Sequence, residues 1–397
     1  MKFYKFKINI EYALVHGIYW IVFSLVMTFA SAYLISLGYN AAEIGMILGL
    51  GSVIALILQP LIASLADKYK AVTTLRIIIL VYIIMLAASL MNNVLGEKSL
   101  AFTIFWIVKA AMARTVLSFI NALQFEMSDE DAPITFSTCR SLGSFMCAIG
   151  AIITGKVIAA YGEITVLYGG HIFSLVMLGL LFIIAIGLWR HRKKRPAEQD
   201  EGARNKEAKS LIQFARDNKR FMILVISIAI VYFSHVLGTN FGLIITTHVG
   251  GTAEDFGLMS AVMVLTELPV LLVYKLLRKR FRCSTLFLFS LVMYLVKIAA
   301  IWLAPTVPLL IAANALQGVS FGLYMPTSVE YAAKVVSKAD TVKAQTSFGL
   351  SVTLGAILAS VIGGALINID INMALLTGTI VAAAGLLISV FVMQKTD

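Results

Sequence analysis

Charged residues are scarce in this chain of 397 residues. Asp, Glu, Lys and Arg make up 13% of the sequence, against about 25% in ordinary soluble domains. Hydrophobic residues make up 60%, and the mean hydropathy is +0.91. Apart from the segment around residues 190–220, no long stretch is polar enough to form a water-soluble domain. The composition therefore argues against a soluble globular protein and indicates an α-helical membrane protein.

Cysteine and the motifs of catalytic chemistry are also nearly absent. The three cysteines, Cys139, Cys147 and Cys283, have no CxxC spacing, so we expect packing roles rather than a disulfide frame or a zinc site. The sequence has no P-loop, which argues against ATP hydrolysis, and no HExxH or GxSxG motif. We expect no enzyme activity, no cofactor and no metal. Nucleic acid is not an expected partner, because the net charge of +11 is spread over several connections.

What the chain has instead is a succession of apolar runs about 20 residues long, the length that crosses a hydrocarbon core of roughly 30 Å as a helix. Helices satisfy their own backbone hydrogen bonds in lipid, whereas a β-barrel needs alternating ten-residue segments that are not seen here. We predict an all-α membrane protein with an N-terminal six-helix bundle over 1–189, a cytoplasmic linker over 190–217 and a C-terminal six-helix bundle over 218–397. The twelve predicted spans are about 10–37, 42–66, 74–95, 99–127, 135–160, 165–189, 218–247, 252–277, 283–303, 306–334, 341–367 and 370–394.

Lys and Arg are concentrated in alternate connections. They occur at the N-terminus, in the second, eighth and tenth connections and in the polybasic segment that starts at Arg190, whereas the opposite connections have essentially only Lys98. Because cytoplasmic loops are enriched in Lys and Arg, we predict a plasma-membrane protein with both termini in the cytoplasm. The polybasic segment is expected to contact anionic lipid headgroups.

The two halves of the chain repeat each other. Residues 140–150 in span five are similar to residues 345–355 in span eleven, which lie 205 positions later. Two shorter matches with nearly the same offset pair Glu126 with Glu330 and Pro60 with Pro269. Matches in the same order at similar offsets predict two parallel six-helix repeats, with a substrate site between them near the middle of the membrane.

Residues 60–68, Pro-Leu-Ile-Ala-Ser-Leu-Ala-Asp-Lys, resemble the signature loop of the major facilitator superfamily, with Ala63 where the pattern usually has Gly. Smaller blocks at 136–143, 266–269 and 316–321 resemble the lactose permease branch of sugar and nucleoside proton symporters. The resemblance covers nearly the whole chain. It implies the major facilitator fold, transport by alternating access, and a gating role for Asp67 and Lys68. We take a monomer as the expected state.

Ionisable side chains inside the spans are expensive, at about 2.5–3.5 kcal/mol each on insertion scales, so each one suggests a function. Arg114 lies in the middle of span four and Arg140 opens span five, while Glu267 and Lys297 lie in spans eight and nine. The resemblance implies substrate binding by Arg140 and a substrate and proton network for Glu267 and Lys297. We predict substrate contacts from Arg140, Asn121, Arg114, Gln317, Gln345 and Tyr232, and proton coupling by Glu267, Lys297 and Glu126.

Some positions depart from the branch pattern. Asn121 stands where lactose permease has a substrate-binding carboxylate, and Cys147 stands where it has a sugar-stacking tryptophan. Gln317 and Ser320 replace a histidine and a glutamate of proton transfer. These departures argue against galactosides. They leave Glu267 as the best candidate proton carrier, because a low dielectric favours the neutral carboxyl.

Three functions remain open at this level. The leading hypothesis is a secondary transporter that moves a small polar solute, sugar- or nucleoside-like, together with protons. An efflux antiporter for amphiphilic compounds is disfavoured, because span five lacks the proline of the signature that such antiporters usually carry. An organic-anion transporter is suggested by Lys109, Arg114, Arg140 and Lys297, which outnumber the intramembrane acids.

Overall fold

The computed structural model describes residues 2–69, 72–128, 133–192 and 211–396, and within these ranges it contains helices and no strand. Twelve helical stretches are long and apolar enough to cross a membrane, as predicted from the sequence. Part of the predicted linker, residues 193–210, lies outside the described residues. The twelve spans are Tyr4–Ser36, Ala41–Ala66, Thr74–Leu95, Leu100–Met127, Thr138–Tyr161, Thr165–Arg190, Lys219–Asn240, Ala253–Arg280, Cys283–Trp302, Val307–Val335, Thr341–Ile369 and Ile371–Val392.

An even number of crossings puts both chain ends on one side of the membrane, which we call the terminus side; the other is the far side. Spans two and eight begin on the far side with the same local structure. Asn40 and Glu43 form a reciprocal capping box, with both hydrogen bonds at 2.9 Å, and Thr252 and Asp255 form another. Such boxes satisfy amide donors that a helix start leaves free. The two starts lie 212 residues apart, so the repeat seen in the sequence is also present in the helix caps.

Four spans depart from a regular α-helix. The prediction of one continuous seventh span over 218–247 was wrong, because Lys219–Asn240 ends at Phe241 and a short helix, Gly242–His248, follows. Spans one, ten and eleven each contain a π-helical turn, a feature often found at functional sites. These turns are Ser24–Thr28, Gly318–Gly322 and Ala359–Gly363.

The two halves of the chain approach each other most closely on the far side, through glycine. A Cβ added to Gly257 of span eight would lie 2.6 Å from the Ala151 carbonyl oxygen and 3.1 Å from the Cα of Gly155 in span five. The equivalent contact joins Gly45 of span two to Gly364 of span eleven, where a Cβ on Gly364 would lie 3.0 Å from the Gly45 Cα. Only glycine allows this backbone approach. The two contacts close the far side of the space between the halves.

Candidate functional site

The C-terminal half carries a chain of three polar side chains from three spans. Lys297 of span nine donates from Nζ to Gln317 Oε1 at 2.6 Å, and Gln317 of span ten donates from Nε2 to Glu267 Oε1 at 3.0 Å. Lys297 and Gln317 are 2% and 3% exposed, whereas Glu267 is only partly buried. The chain therefore runs from the interior of the C-terminal half to a carboxylate at its surface.

Span ten is able to place Gln317 beside Glu267 because glycines surround it. A Cβ on Gly322 would lie 3.2 Å from the Glu267 Cα, so spans eight and ten are in backbone contact there. The amide orientation is fixed by chemistry, since an ammonium only donates hydrogen bonds and a carboxylate only accepts them. Gln317 must then turn its oxygen to Lys297 and its nitrogen to Glu267. The result is a polarised link between a cation and an acid.

A cavity of about 140 Å³ lies between the two halves, and Glu267 and Gln317 form part of its wall. The N-terminal half contributes mainly aromatic and small residues of spans one and five, while the C-terminal half adds polar side chains. Among the lining residues are Trp20, Phe23, Ser24, Thr28, Cys147, Thr239, Phe256 and Ser260. Phe29 and Phe256 meet edge to face across the halves with ring centroids 4.9 Å apart, toward the far side. The cavity is thus a central one with its far-side end occupied by aromatic rings.

Five side chains form an electrostatic ring across the interface between the halves. Arg114 lies within electrostatic reach of Tyr19 and Tyr232. Arg140 lies within reach of Tyr19 and Glu267, and Tyr232 lies within reach of Arg114 and Glu267. The N-terminal half contributes both guanidinium groups, and the C-terminal half contributes the carboxylate. We refer to Tyr19, Arg114, Arg140, Tyr232 and Glu267 as the interface ring.

Two buried polar atoms at this ring have no hydrogen-bond partner in the described part of the chain, the hydroxyl of Tyr19 and Nε of Arg114. The Arg114 guanidinium carbon lies 5.9 Å from the centre of the Phe23 ring, a loose cation–π contact. Buried polar groups are normally paired, so these two atoms are candidate donors to a ligand from solution.

Lys109 is a further cation inside the N-terminal half. It is 3% exposed, and its Nζ lies 3.5 Å from the centre of the Trp106 ring. The described residues contain no carboxylate within ion-pairing distance of it. Sequence reasoning noted Lys109 but did not anticipate the tryptophan, which lies one helical turn before it on the same face.

The remaining predicted residues lie apart from the cavity. Asn121 is partly buried and its Oδ1 is unpaired among the described residues, while Gln345 is exposed near the terminus-side start of span eleven. Glu126 accepts a hydrogen bond from the Leu75 amide at 3.1 Å, so it caps the start of span three. Lys68 is exposed beside the Tyr69 ring, and the side chain of Asp67 lies outside the described residues.

The residue that sequence reasoning underrated is Trp20. It is absent from the predicted solute contacts, yet it lines the cavity together with Cys147, whose Sγ lies 3.9 Å from the Trp20 carbonyl oxygen. A tryptophan of span one therefore lies next to Cys147, the position at which the lactose permease pattern has a tryptophan. The available signal was its spacing, since Trp20 and Phe23 are three residues apart and share a helix face just before the π-helical turn.

Comparisons with known proteins agree with this architecture. A family model described as MFS_1 like family matches residues 10–376. A structure of a point mutant of the nucleoside transporter NupG superposes with a TM-score of 0.83 at 15% identity, covering 98% of this chain and 100% of that chain. A bacterial homologue of the human lysosomal transporter Spinster, inward-facing and unoccupied, gives 0.67 at 14% identity, covering 99% and 96%. No curated protein matches this chain.

Proposed function

Because this chain belongs to the MFS_1 like family of major facilitator membrane transporters, we propose that it carries a small polar solute, sugar- or nucleoside-like, by alternating access coupled to protons. The coarser statement, a multi-pass membrane transporter, follows from the family and the twelve spans. We further propose that both termini are cytoplasmic and that the chain works as two six-helix units joined at 190–217. The Lys/Arg asymmetry supports this orientation.

The observation that carries the proposal is the chain Glu267–Gln317–Lys297, which ends at the wall of the central cavity. A carboxyl group in a low dielectric is easily neutralised by a proton, whereas the nearby cations favour its charged form. Glu267 is thus the group that we propose takes up and releases the proton. Gln317 holds the carboxylate by one hydrogen bond and leaves its second oxygen available to the cavity.

The two glycine contacts support alternating access. Backbone approach at Gly45–Gly364 and Gly155–Gly257 brings the halves together on the far side, where Phe29 and Phe256 also meet. Contacts of this type separate without unthreading side chains, so the halves can rock apart about the central cavity. The state described here, closed on the far side, is one of the two that the cycle requires.

The proposed solute class rests on the cavity wall and on the family. Trp20 offers an aromatic face, and Ser24, Thr239 and Ser260 offer hydroxyl groups, which suits the ring and hydroxyl groups of a sugar or nucleoside. NupG, with the same fold, is described as a nucleoside transporter. Arg114 lies beside Phe23 of the cavity wall and Arg140 lies within electrostatic reach of Glu267, so both guanidinium groups are near this space.

The decisive experiment uses the full-length protein in liposomes. With labelled sugars and nucleosides as probes, we expect a pH gradient to drive uphill uptake by the wild type. Glu267→Gln should lose this uphill uptake and keep substrate exchange, since exchange needs no net proton movement. The matched control is Glu254→Gln, which changes an exposed carboxylate of the same span. Full pH-driven accumulation by Glu267→Gln would refute the proton role.

A further inference from the structure

The membrane interior of the N-terminal half holds three cations, Lys109, Arg114 and Arg140. None of them has a carboxylate within ion-pairing distance among the residues that the structure describes. Arg140 and Glu267 face each other across the halves without closing to an ion pair. The membrane interior of this half therefore carries positive charge that no ion pair among the described residues neutralises.

Cations near the ends of the spans are treated differently by the same fold. Arg278 makes a forked pair with Glu330, with Nη2 to Oε1 at 2.7 Å, and Lys98 contacts Glu43 at 2.6 Å. These two cations are paired although water near the span ends already lowers the cost of leaving them unpaired. Arg114, in the middle of span four, has no such partner where an unpaired charge is most costly.

The orphaned atoms lie in the same place as the open charges. Tyr19 is within electrostatic reach of both Arg114 and Arg140, and its buried hydroxyl has no partner in the described part of the chain. Arg114 Nε is also buried and unpartnered there. Two guanidinium groups within electrostatic reach of one buried hydroxyl match an acceptor group with a negative charge, such as a carboxylate or phosphate.

We infer that the transported solute is an organic anion, a sugar- or nucleoside-like molecule whose carboxylate or phosphate lies between Arg114 and Arg140. This inference rests on the proposed function and narrows its substrate class. The hydroxyl-bearing end of the solute then faces Trp20 and the polar side chains of the cavity wall. A forked guanidinium matches the two oxygens of either anionic group.

The same geometry gives a reason for carrying a proton with the anion. Glu267 is faced by Arg140 and Cys147 of span five, Tyr232 of span seven, and Tyr294 and Lys297 of span nine. When Glu267 is charged, it attracts Arg140 and repels an incoming anion. When Glu267 takes up a proton, it no longer repels the anion and no longer competes for Arg140, so the two ions bind together.

The test compares pairs of probes that differ by one anionic group. They are galactose with galacturonate, glycerol with glycerol 3-phosphate, and uridine with uridine 5′-monophosphate. Binding is measured by thermal unfolding of the purified full-length protein at constant ionic strength, and transport is measured in liposomes with the same probes. In at least one pair we expect the anion to bind at least tenfold more tightly than its neutral partner.

Variants test whether the interface ring causes this preference for the anion. Arg114→Gln and Arg140→Gln should each remove it, whereas Lys156→Gln, an exposed cation of span five, should keep it. If the Gln variants do not fold, Arg140→Lys retains the charge and should bind the anion at least tenfold more weakly while still preferring it.

The two readouts separate the possible failures. Equal or tighter binding of the neutral member in every pair, or no stabilisation by any anion, would overturn the inference. If neutral probes are carried and anions are not, the transport proposal stands and the anion inference falls. If anions stabilise the protein but none crosses the membrane, the anion site stands and the proposed function falls.

Discussion

The two halves share a frame but handle their buried charges in opposite ways. In the C-terminal half, Lys297 and Glu267 are joined through Gln317 by hydrogen bonds of 2.6 and 3.0 Å. In the N-terminal half, Arg114 and Arg140 have no hydrogen-bonded acid in the described ranges, although both lie beside Tyr19. Equivalent helices with equivalent glycine contacts and helix caps therefore carry different chemistry.

This difference matches the different roles proposed for the two halves. A hydrogen-bonded chain holds one carboxylate in place and adjusts its protonation, which suits an ion that is taken up and released. Open guanidinium groups have donors to spare, which suits a ligand that arrives from solution. The N-terminal half is thus the better candidate for binding the solute, and the C-terminal half for the proton.

The same comparison extends to Glu126 and Glu330, which match at an offset of 204 residues. Glu126 accepts from the Leu75 amide at the start of span three. Glu330 instead accepts from Arg278 and from the Tyr274 hydroxyl at 2.6 Å. Both carboxylates tie span ends together on the terminus side, so neither position favours a proton carrier over a structural contact.

The largest effect is expected from changes in the glycine contacts, a feature that the two halves share. Gly257→Ala places a methyl group about 2.6 Å from the Ala151 carbonyl oxygen, and backbone on both sides has to move. We expect the transport rate to fall by more than tenfold, because the added methyl group blocks far-side closure. In enzymes, a misplacement of about 1 Å alone lowers the reaction rate by on the order of a hundredfold.

Gly45→Ala, the equivalent change in the other half, should do the same, with flux in liposomes as the measurement. Gly349→Ala is the control, since no atom lies within 4 Å of the added methyl group. Normal transport by both gate variants would show that the close contacts are not needed for the cycle.

The next effect concerns the N-terminal half alone. Arg140→Lys keeps the charge but loses the forked donor pattern. Since a hydrogen bond to a charged group contributes about 1.5–3 kcal/mol, solute binding should weaken by roughly ten- to a hundredfold. Equilibrium binding of a transported probe measures this, with thermal unfolding to verify the fold. Affinity equal to the wild type would mean that Arg140 only extends toward the headgroups.

Much of the frame followed from the sequence, and the reasons are physical. The thickness of the bilayer fixes the length of each apolar run, so the twelve spans were predictable. The repeat was predictable from matched residues such as Pro60 and Pro269. Arg114, Arg140 and Glu267 were also selected, because a charge in lipid needs a reason and the resemblance implies roles for the latter two. Tyr232 was selected as an aromatic residue that could line the cavity. The structure places all four in the interface ring.

What the sequence left open is which face of each span turns to the cavity. In a membrane helix the lipid face and the packing face are both apolar, so periodicity does not separate them. The π-helical turn Gly318–Gly322 also shifts the phase of span ten after Gln317. Gln317, which was expected to touch the solute, lines the cavity and also links Glu267 to Lys297, whereas Gln345 was selected but is exposed.

A moderate effect tests the C-terminal chain. Lys297→Met leaves the Gln317 oxygen buried without a donor, which costs on the order of 1–3 kcal/mol of unfolding free energy. The double variant Glu267→Gln with Lys297→Met removes the charges from both ends, and we expect it to recover part of that loss. Denaturation of the detergent-purified variants measures both. A loss of stability in the double variant equal to the sum of the two single losses would mean that the two ends do not act through Gln317.

The smallest effect concerns the one ion pair that the described residues place between the halves, Lys156 with Glu254. The pair is 3.9 Å long, and its side chains are 63% and 56% exposed, on the far side beside the Gly155–Gly257 contact. An exposed pair contributes about 0–1 kcal/mol, because water and salt screen it and two long side chains must be ordered. Lys156→Gln should therefore leave transport within about twofold of the wild type, whether flux is measured at low or high salt. A strongly salt-dependent loss of transport would show instead that the ion pair holds the far side closed. The equivalent contact of Gly45 with Gly364 lacks such a pair among the described residues, so its closure would then need a different explanation.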